Sequence, residues 1–113
     1  MWRILVADDV QVNRELVLDI LDGYAECDVA ADGKEAIEKI NASLPDAPYD
    51  LLLLDIAMPE VNGLDVLKRI RDNEGDAGIP LGDGMPVIMV TAYTQPCIES
   101  FDRGCDDYIV KPV

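Results

Sequence analysis

The chain has 113 residues, enough for one domain, and half of them are hydrophobic, so a packed core can form. Its 23 acidic and 9 basic residues give a net charge of −14, which argues against a nucleic-acid surface and anionic membranes and fits binding of cations or basic partners. With no histidine and three irregularly spaced cysteines, Cys27, Cys97 and Cys105, the composition argues against a zinc site and excludes a Ser-His-Asp triad or a histidine phosphocarrier within the chain.

Trp2 to Ala7 is a compact apolar run, read as the first strand, and it ends in Asp8-Asp9. Arg3 interrupts that start, so no signal peptide is expected. No apolar run approaches the roughly 20 residues of a membrane span, and a cytoplasmic location is expected. The first helix is read from Gln11 to Leu21, with Val12, Leu16, Ile20 and Leu21 on its inward stripe and Gly23 as its stop. Cys27 to Ala31 reads as a short second strand, and Asp32-Gly33 as a turn. Lys34 to Ala42 reads as the second helix, with Ala36, Ile37 and Ile40 inward. Pro45 and Pro48 punctuate the loop that follows.

Leu51-Leu52-Leu53-Leu54 is short and wholly apolar, which suits a strand buried on both faces of a parallel sheet. It delivers Asp55 at its carboxyl end. Leu64 to Arg71 reads as the third helix, with Leu64, Leu67 and Ile70 inward. Asp72 to Met85 holds Gly75, Gly78, Gly82 and Gly84 and reads as an exposed flexible loop. Pro86 to Val90 is the fourth strand, ending in Thr91-Ala92. Gln95 to Arg103 reads as a short fourth helix, and Tyr108 to Val110 as the fifth strand, ending in Lys111-Pro112. Alternating strands and helices predict an α/β fold, a flavodoxin-like, doubly wound, five-stranded parallel sheet of order 2-1-3-4-5.

In that topology the first and third strands are neighbours, so Asp8 and Asp9 come within reach of Asp55. Ligands in such sheets bind beyond the carboxyl ends of the strands. Three carboxylates there repel one another, and a hard divalent cation with oxygen ligands, Mg²⁺, is the simplest neutraliser. Thr91 and Lys111 arrive at the same edge and could hold a phosphoryl group attached to Asp55. Singly these residues have blander readings: Asp8 or Asp9 as a helix cap, Asp55 as a loop cap, Thr91 as a strand end, Lys111 as a solvated charge. Their convergence at four strand ends favours the joint reading.

The segments Ile4-Leu5-Val6-Ala7-Asp8-Asp9, Leu54-Asp55-Ile56-Ala57-Met58-Pro59 with Gly63, Val90-Thr91-Ala92 and Gly104-Cys105-Asp106-Asp107-Tyr108-Ile109-Val110-Lys111-Pro112 together resemble the receiver domain of two-component response regulators. The resemblance covers residues 1–113 as one receiver domain. It implies that Asp55 is the phosphoacceptor for a phosphohistidine on a histidine kinase or histidine phosphotransfer protein. It implies that Asp9, Asp55 and the backbone carbonyl of Ala57 bind Mg²⁺, with Mn²⁺ as a substitute and Asp8 assisting through water. Lys111 would pair with the phosphoryl oxygens, and Thr91 and Tyr108 would switch conformation with it. The implied protein is a signalling switch that acts on a downstream output domain or protein. A homodimer is compatible with it, and this domain would not itself bind nucleic acid or membrane.

The chain departs from the family pattern in three places. The glycine-rich segment is longer than usual, and the stretch from Thr91 to Lys111 is shorter, which implies a short or partly unwound fourth helix. The family's fifth helix is missing, so apolar side chains from the third to fifth strands are expected to face water. The favoured explanation is a shortened receiver, the other a covering molecule. Two other functions compete. A Mg²⁺-dependent phosphatase with an aspartyl nucleophile would need a second Asp two positions after Asp55, where Ala57 stands. A flavodoxin-like nucleotide binder would need a Ser/Thr/Gly phosphate loop, where the chain has Asp8-Asp9-Val10.

Overall fold

Residues 2–43, 48–56, 58, 60–79, 84–91 and 107–110 are described by a computed structural model. Along them run β1 (Trp2–Ala7), α1 (Gln11–Leu21), β2 (Ala25–Ala30), α2 (Gly33–Ser43), β3 (Leu51–Leu54), α3 (Gly63–Asp76), β4 (Val87–Thr91) and β5 (Asp107–Val110). All pairings are parallel, and the sheet order is β2-β1-β3-β4-β5, as the alternating pattern predicts. The chain steps one way from β1 to β2 and the other way from β2 to β3 and β4. Right-handed crossovers therefore place α1 on one face of the sheet and α2 with α3 on the other.

The core lies beneath α2 and α3. Alternate strand residues, Leu5 on β1, Leu52 and Leu54 on β3, Val87 and Met89 on β4, are fully buried against Ala36, Val66 and Leu67 of the helices. Burying a leucine or valine of this kind contributes roughly 1.5–3 kcal/mol. On the α1 face Ile4 and Val6 are buried, while Leu51, Leu53 and Ile88 are half-buried.

The amino ends of β1 and β3 are tied to each other and to the middle of β2. Asp50 and Arg3 exchange two bonds: the Asp50 N–H donates to the Arg3 carbonyl at 2.7 Å, and the Arg3 N–H donates to Asp50 Oδ2 at 2.8 Å. Tyr49, just before β3, reaches across β1 and donates its hydroxyl to Asp28 of β2 at 2.6 Å. The Arg3 guanidinium lies 4.9 Å above the Tyr49 ring and 3.7 Å from the Asp28 carboxylate.

Several expectations need correction. The stripe Val12, Leu16 and Ile20 points outward, 71%, 40% and 52% exposed, and no residue of α1 is buried. The helix rests on Val17, Leu18 and Leu21, which are half-buried. It carries two apolar stripes, and the sheet takes the second. Among the described residues the most open apolar side chains of this face lie on α1, while Leu51, Leu53 and Ile88 of β3 and β4 stay half-buried. The first part of the loop expected from Asp72 is helix instead: α3 continues through Gly75 to Asp76. Its last turn is held by Arg71, which meets Glu74 at 2.8 Å, and by Glu74 Oε2, which accepts the Met85 N–H at 2.7 Å. Gly78 then leaves the helix at φ +79°, where a side chain is disfavoured. β2 starts at Ala25 rather than Cys27, and Gly33 opens α2 instead of turning the chain. Asp32 caps that helix by accepting the Glu35 N–H at 2.8 Å, while Glu35 accepts the Ala31 N–H at 2.9 Å. The predicted helix Gln95–Arg103 lies outside the described residues.

Candidate functional site

Asp8 and Asp55 each extend a sheet ladder by one residue. The Asp8 N–H donates to Ala30 of β2 at 3.0 Å, and the Asp55 N–H donates to Ala7 of β1 at 2.9 Å. The backbone hydrogen bonds that align three strands therefore also align the two acids at their ends. Both residues are buried, 6% and 5% exposed, and Asp9 beside them opens to solvent. Ligand oxygens of Asp8, Asp9 and Asp55 all lie within 4.8 Å of one another. This is the convergence expected from the strand order.

Asp8 does not cap α1. That position belongs to Val10, which makes no side-chain cap. Asp8 Oδ1 instead accepts the Val10 N–H at 2.9 Å and turns the chain into the helix. Arg14, on the first turns of α1, donates from Nη1 to the Asp8 carbonyl oxygen at 2.7 Å. It brings a cation to the backbone under the acids, a contact that sequence reasoning missed. An arginine one helical turn past an Asp-Asp pair was the available signal.

The loop after β3 returns to Asp55. The Gly63 N–H donates to the Ile56 carbonyl at 2.8 Å, so α3 begins against the peptide that follows the acid. Asn62 caps α3 by accepting the Asp65 N–H at 2.9 Å. Glu60, between them, has φ +63°, a conformation costly for a side-chain-bearing residue. Thr91 ends β4, next to β3 in the sheet, but its side chain, the Tyr108 side chain, Lys111 and the Ala57 carbonyl lie outside the described residues.

Two unit charges about 4 Å apart at an effective dielectric of about 20 repel by about 4 kcal/mol. A cluster of three carboxylates is therefore a strong cation site by charge. Its ligands are all oxygen, two are held by the sheet, and the third faces water. This donor set fits a hard cation that keeps part of its hydration shell, Mg²⁺ above all. A further hollow among the described residues, about 310 Å³ between the C-terminal ends of α2 and α3, is lined chiefly by apolar side chains such as Ile37, Ile70 and Met85. It lies at the opposite edge of the sheet from the acids. Among the described residues no helix is long and apolar enough to cross a membrane.

Residues 4–113 match the family model described as the response regulator receiver domain. The transcriptional regulatory protein DltR of Streptococcus agalactiae serotype III (strain NEM316) is 40% identical over 97% of this chain and 45% of its own length. Hybrid signal transduction histidine kinase L of Dictyostelium discoideum is 34% identical over all of this chain, which corresponds to 7% of that protein. This chain thus spans less than half of either curated relative. Among solved structures, response regulator protein TrrA of Thermotoga maritima in complex with Mg²⁺-BeF superposes with a TM-score of 0.79 and 36% identity, over 99% of this chain and 88% of that one.

Proposed function

Since the chain belongs to the response regulator receiver family, a family of phosphoaccepting signalling switches, we propose that Asp55 is its phosphoacceptor and that a phosphohistidine of a histidine kinase or phosphotransfer protein is the donor. The observation that carries this is a buried carboxylate at the end of a central strand with two further carboxylates within 4.8 Å. An Asp55 carboxylate oxygen attacks phosphorus. The P–O bond forms as the donor's P–N bond breaks, and the imidazole nitrogen leaves with the electron pair and takes a proton. Asp55 is fixed for this by its ladder bond to Ala7 and by the Gly63 turn beneath it.

Asp9 and Asp55, with the Ala57 carbonyl, would hold Mg²⁺, and Asp8 would assist them through water. When bound, the ion offsets the negative charge that opposes attack of a carboxylate on a phosphoryl group. TrrA, solved with Mg²⁺-BeF, supports the choice of metal, and Mn²⁺ can take its place. Lys111 pairs with the phosphoryl oxygens, Thr91 moves toward them, and Tyr108 follows, so that two states differ in the face they present. That face acts on an output domain or protein, and self-association of the phosphorylated form is one available output. The switch works in the cytoplasm and hydrolyses its own acyl phosphate without turning over external substrates. A phosphatase of the aspartyl-nucleophile type is disfavoured because alanine occupies position 57, where a general acid would be needed.

Incubation with acetyl phosphate and Mg²⁺ tests the proposal. Intact mass should rise by one phosphoryl group, with none added after chelation or in Asp55→Asn, and hydroxylamine should remove it. Unchanged labelling of Asp55→Asn would overturn the assignment. So would multiple turnover of a phosphomonoester that Asp55→Ala abolishes.

A further inference from the structure

Among the described residues, two glycines touch backbone with no room for a methyl group. A Cβ built on Gly63, the first residue of α3, overlaps the carbonyl oxygen of Asp55 and lies 2.8 Å from its carbonyl carbon and from Ile56 Cα. A Cβ built on Gly33, the first residue of α2, overlaps the carbonyl oxygen of Val61 and lies 2.8 Å from Val66 Cγ2. Contacts under 3.0 Å are essentially never made by real Cβ atoms. Here the clashing atoms are mostly backbone, which cannot swing aside as a side chain would. Between the two glycines, Glu60 sits at φ +63°. The start of α3 is thus pressed against the Asp55 peptide, and the start of α2 against Val61.

We infer that Gly63, and behind it Gly33, are positioning residues for the Asp55 carboxylate. Neither presents a side chain to the acids. Their lack of one lets two helix starts seat the loop so that the Asp55 peptide continues the β1–β3 ladder, with its N–H on Ala7 at 2.9 Å. A methyl at position 63 must push either α3 or the Asp55 peptide away. Pushing α3 means moving Val66, Leu67 and Ile70, three core residues at most 5% exposed. The helix would have to shift as a body, whereas the Asp55 peptide is a single unit at the carboxyl end of its strand, and the carboxylate moves with it. A methyl at position 33 presses instead on the Val61 carbonyl, two residues before Gly63, and reaches Asp55 indirectly. Substitution should therefore act in a graded way, strongly at position 63 and more weakly at 33.

Gly75 provides the control. It also lies in α3, and a Cβ there meets nothing within 4 Å. Because this role rests on the reading of Asp55 as phosphoacceptor with Mg²⁺ beside it, the test has two independent readouts. Mg²⁺ affinity is measured by calorimetry on the full chain, with the Asp55→Asn protein as the background for non-specific binding. Phosphorylation by acetyl phosphate is followed at saturating Mg²⁺. Circular dichroism and thermal melts verify that each variant is folded at the working temperature. Groups that support a metal ligand from behind typically change affinity or activity 10–100-fold when altered. Gly63→Ala should weaken Mg²⁺ binding by at least about tenfold and slow phosphorylation by up to about 100-fold, as misplacement of a reacting group by about 1 Å does. Gly33→Ala should show the same losses at a few-fold, and Gly75→Ala neither. A purely structural role would lower the melting temperature while leaving both readouts intact in the folded protein. That result in Gly63→Ala overturns the inference. If Gly63→Ala does not fold, Gly33→Ala decides: unchanged Mg²⁺ affinity and rate there overturn it equally. A wild-type chain that takes no phosphoryl group on Asp55 removes the proposed function and this inference together. Labelling of Asp55 with unaltered glycine variants removes the inference alone.

Discussion

Tyr49 carries a titration that belongs to the fold rather than to the acidic site. Burial, and then its bond to Asp28, pushes its phenol up to about 12. An unfolded tyrosine titrates near 10. The folded chain therefore keeps a proton that the unfolded chain gives up, and the stability this adds is complete below about pH 10 and fades as pH rises toward 12. Denaturant unfolding should show wild type exceeding Tyr49→Phe by more at pH 8 than at pH 11.5. A gap that widens with pH would contradict the assignment. At the mouth of α3, Asn62→Ala should cost about 1 kcal/mol in urea unfolding, the usual loss for an N-cap whose oxygen holds a backbone N–H. The meeting of Asp8, Asp9 and Asp55 is legible in the sequence because parallel strands export their last residues to one edge, and strand order follows from the alternating pattern. The role of Gly33 is not legible there, since a glycine at a turn and a glycine under a carbonyl read alike. Arg14 and Tyr49 find their partners only through the crossing of elements.

At the level of elements, α1 and α3 contrast. α1 offers Val12, Leu16 and Ile20 to solvent, while α3 buries Val66, Leu67 and Ile70. Leu16→Glu should shift stability by no more than about 0.5 kcal/mol, as surface changes do, whereas Leu67→Ala should cost about 2–5 kcal/mol. Equal costs in urea titrations would show that α1 packs through its outer stripe. Gly75→Ala should instead stabilise the chain by about 0.4–1 kcal/mol, since the helix accepts a methyl there and the unfolded chain loses freedom. Sequence periodicity locates α1 to the residue but cannot choose between its two apolar stripes, because that choice belongs to whatever lies against them. The end of α3 is hidden for a related reason. Glycine content argues for a loop, and only the approach of Met85 to Glu74 shows why the helix persists.

For the whole molecule, charge is the main influence outside the core. A net charge of −14 on 113 residues opposes the compact state, and part of that repulsion is concentrated where Asp8, Asp9 and Asp55 meet. Mg²⁺ should therefore raise stability beyond what NaCl of equal ionic strength achieves. At about one hundred times its dissociation constant the specific gain is about 2.7 kcal/mol by mass action. Thermal melts of wild type should show the excess over NaCl, and melts of Asp55→Asn should show much less of it. Such coupling has a direction, set by how unequally the sheet is secured. Where the chain enters β1 and β3, Arg3, Asp28, Tyr49 and Asp50 are laced across three strands. A group attached at the far edge should therefore disturb Arg3, Asp28, Tyr49 and Asp50 least, and amide exchange on phosphorylation should change more at the helix starts than in these four residues.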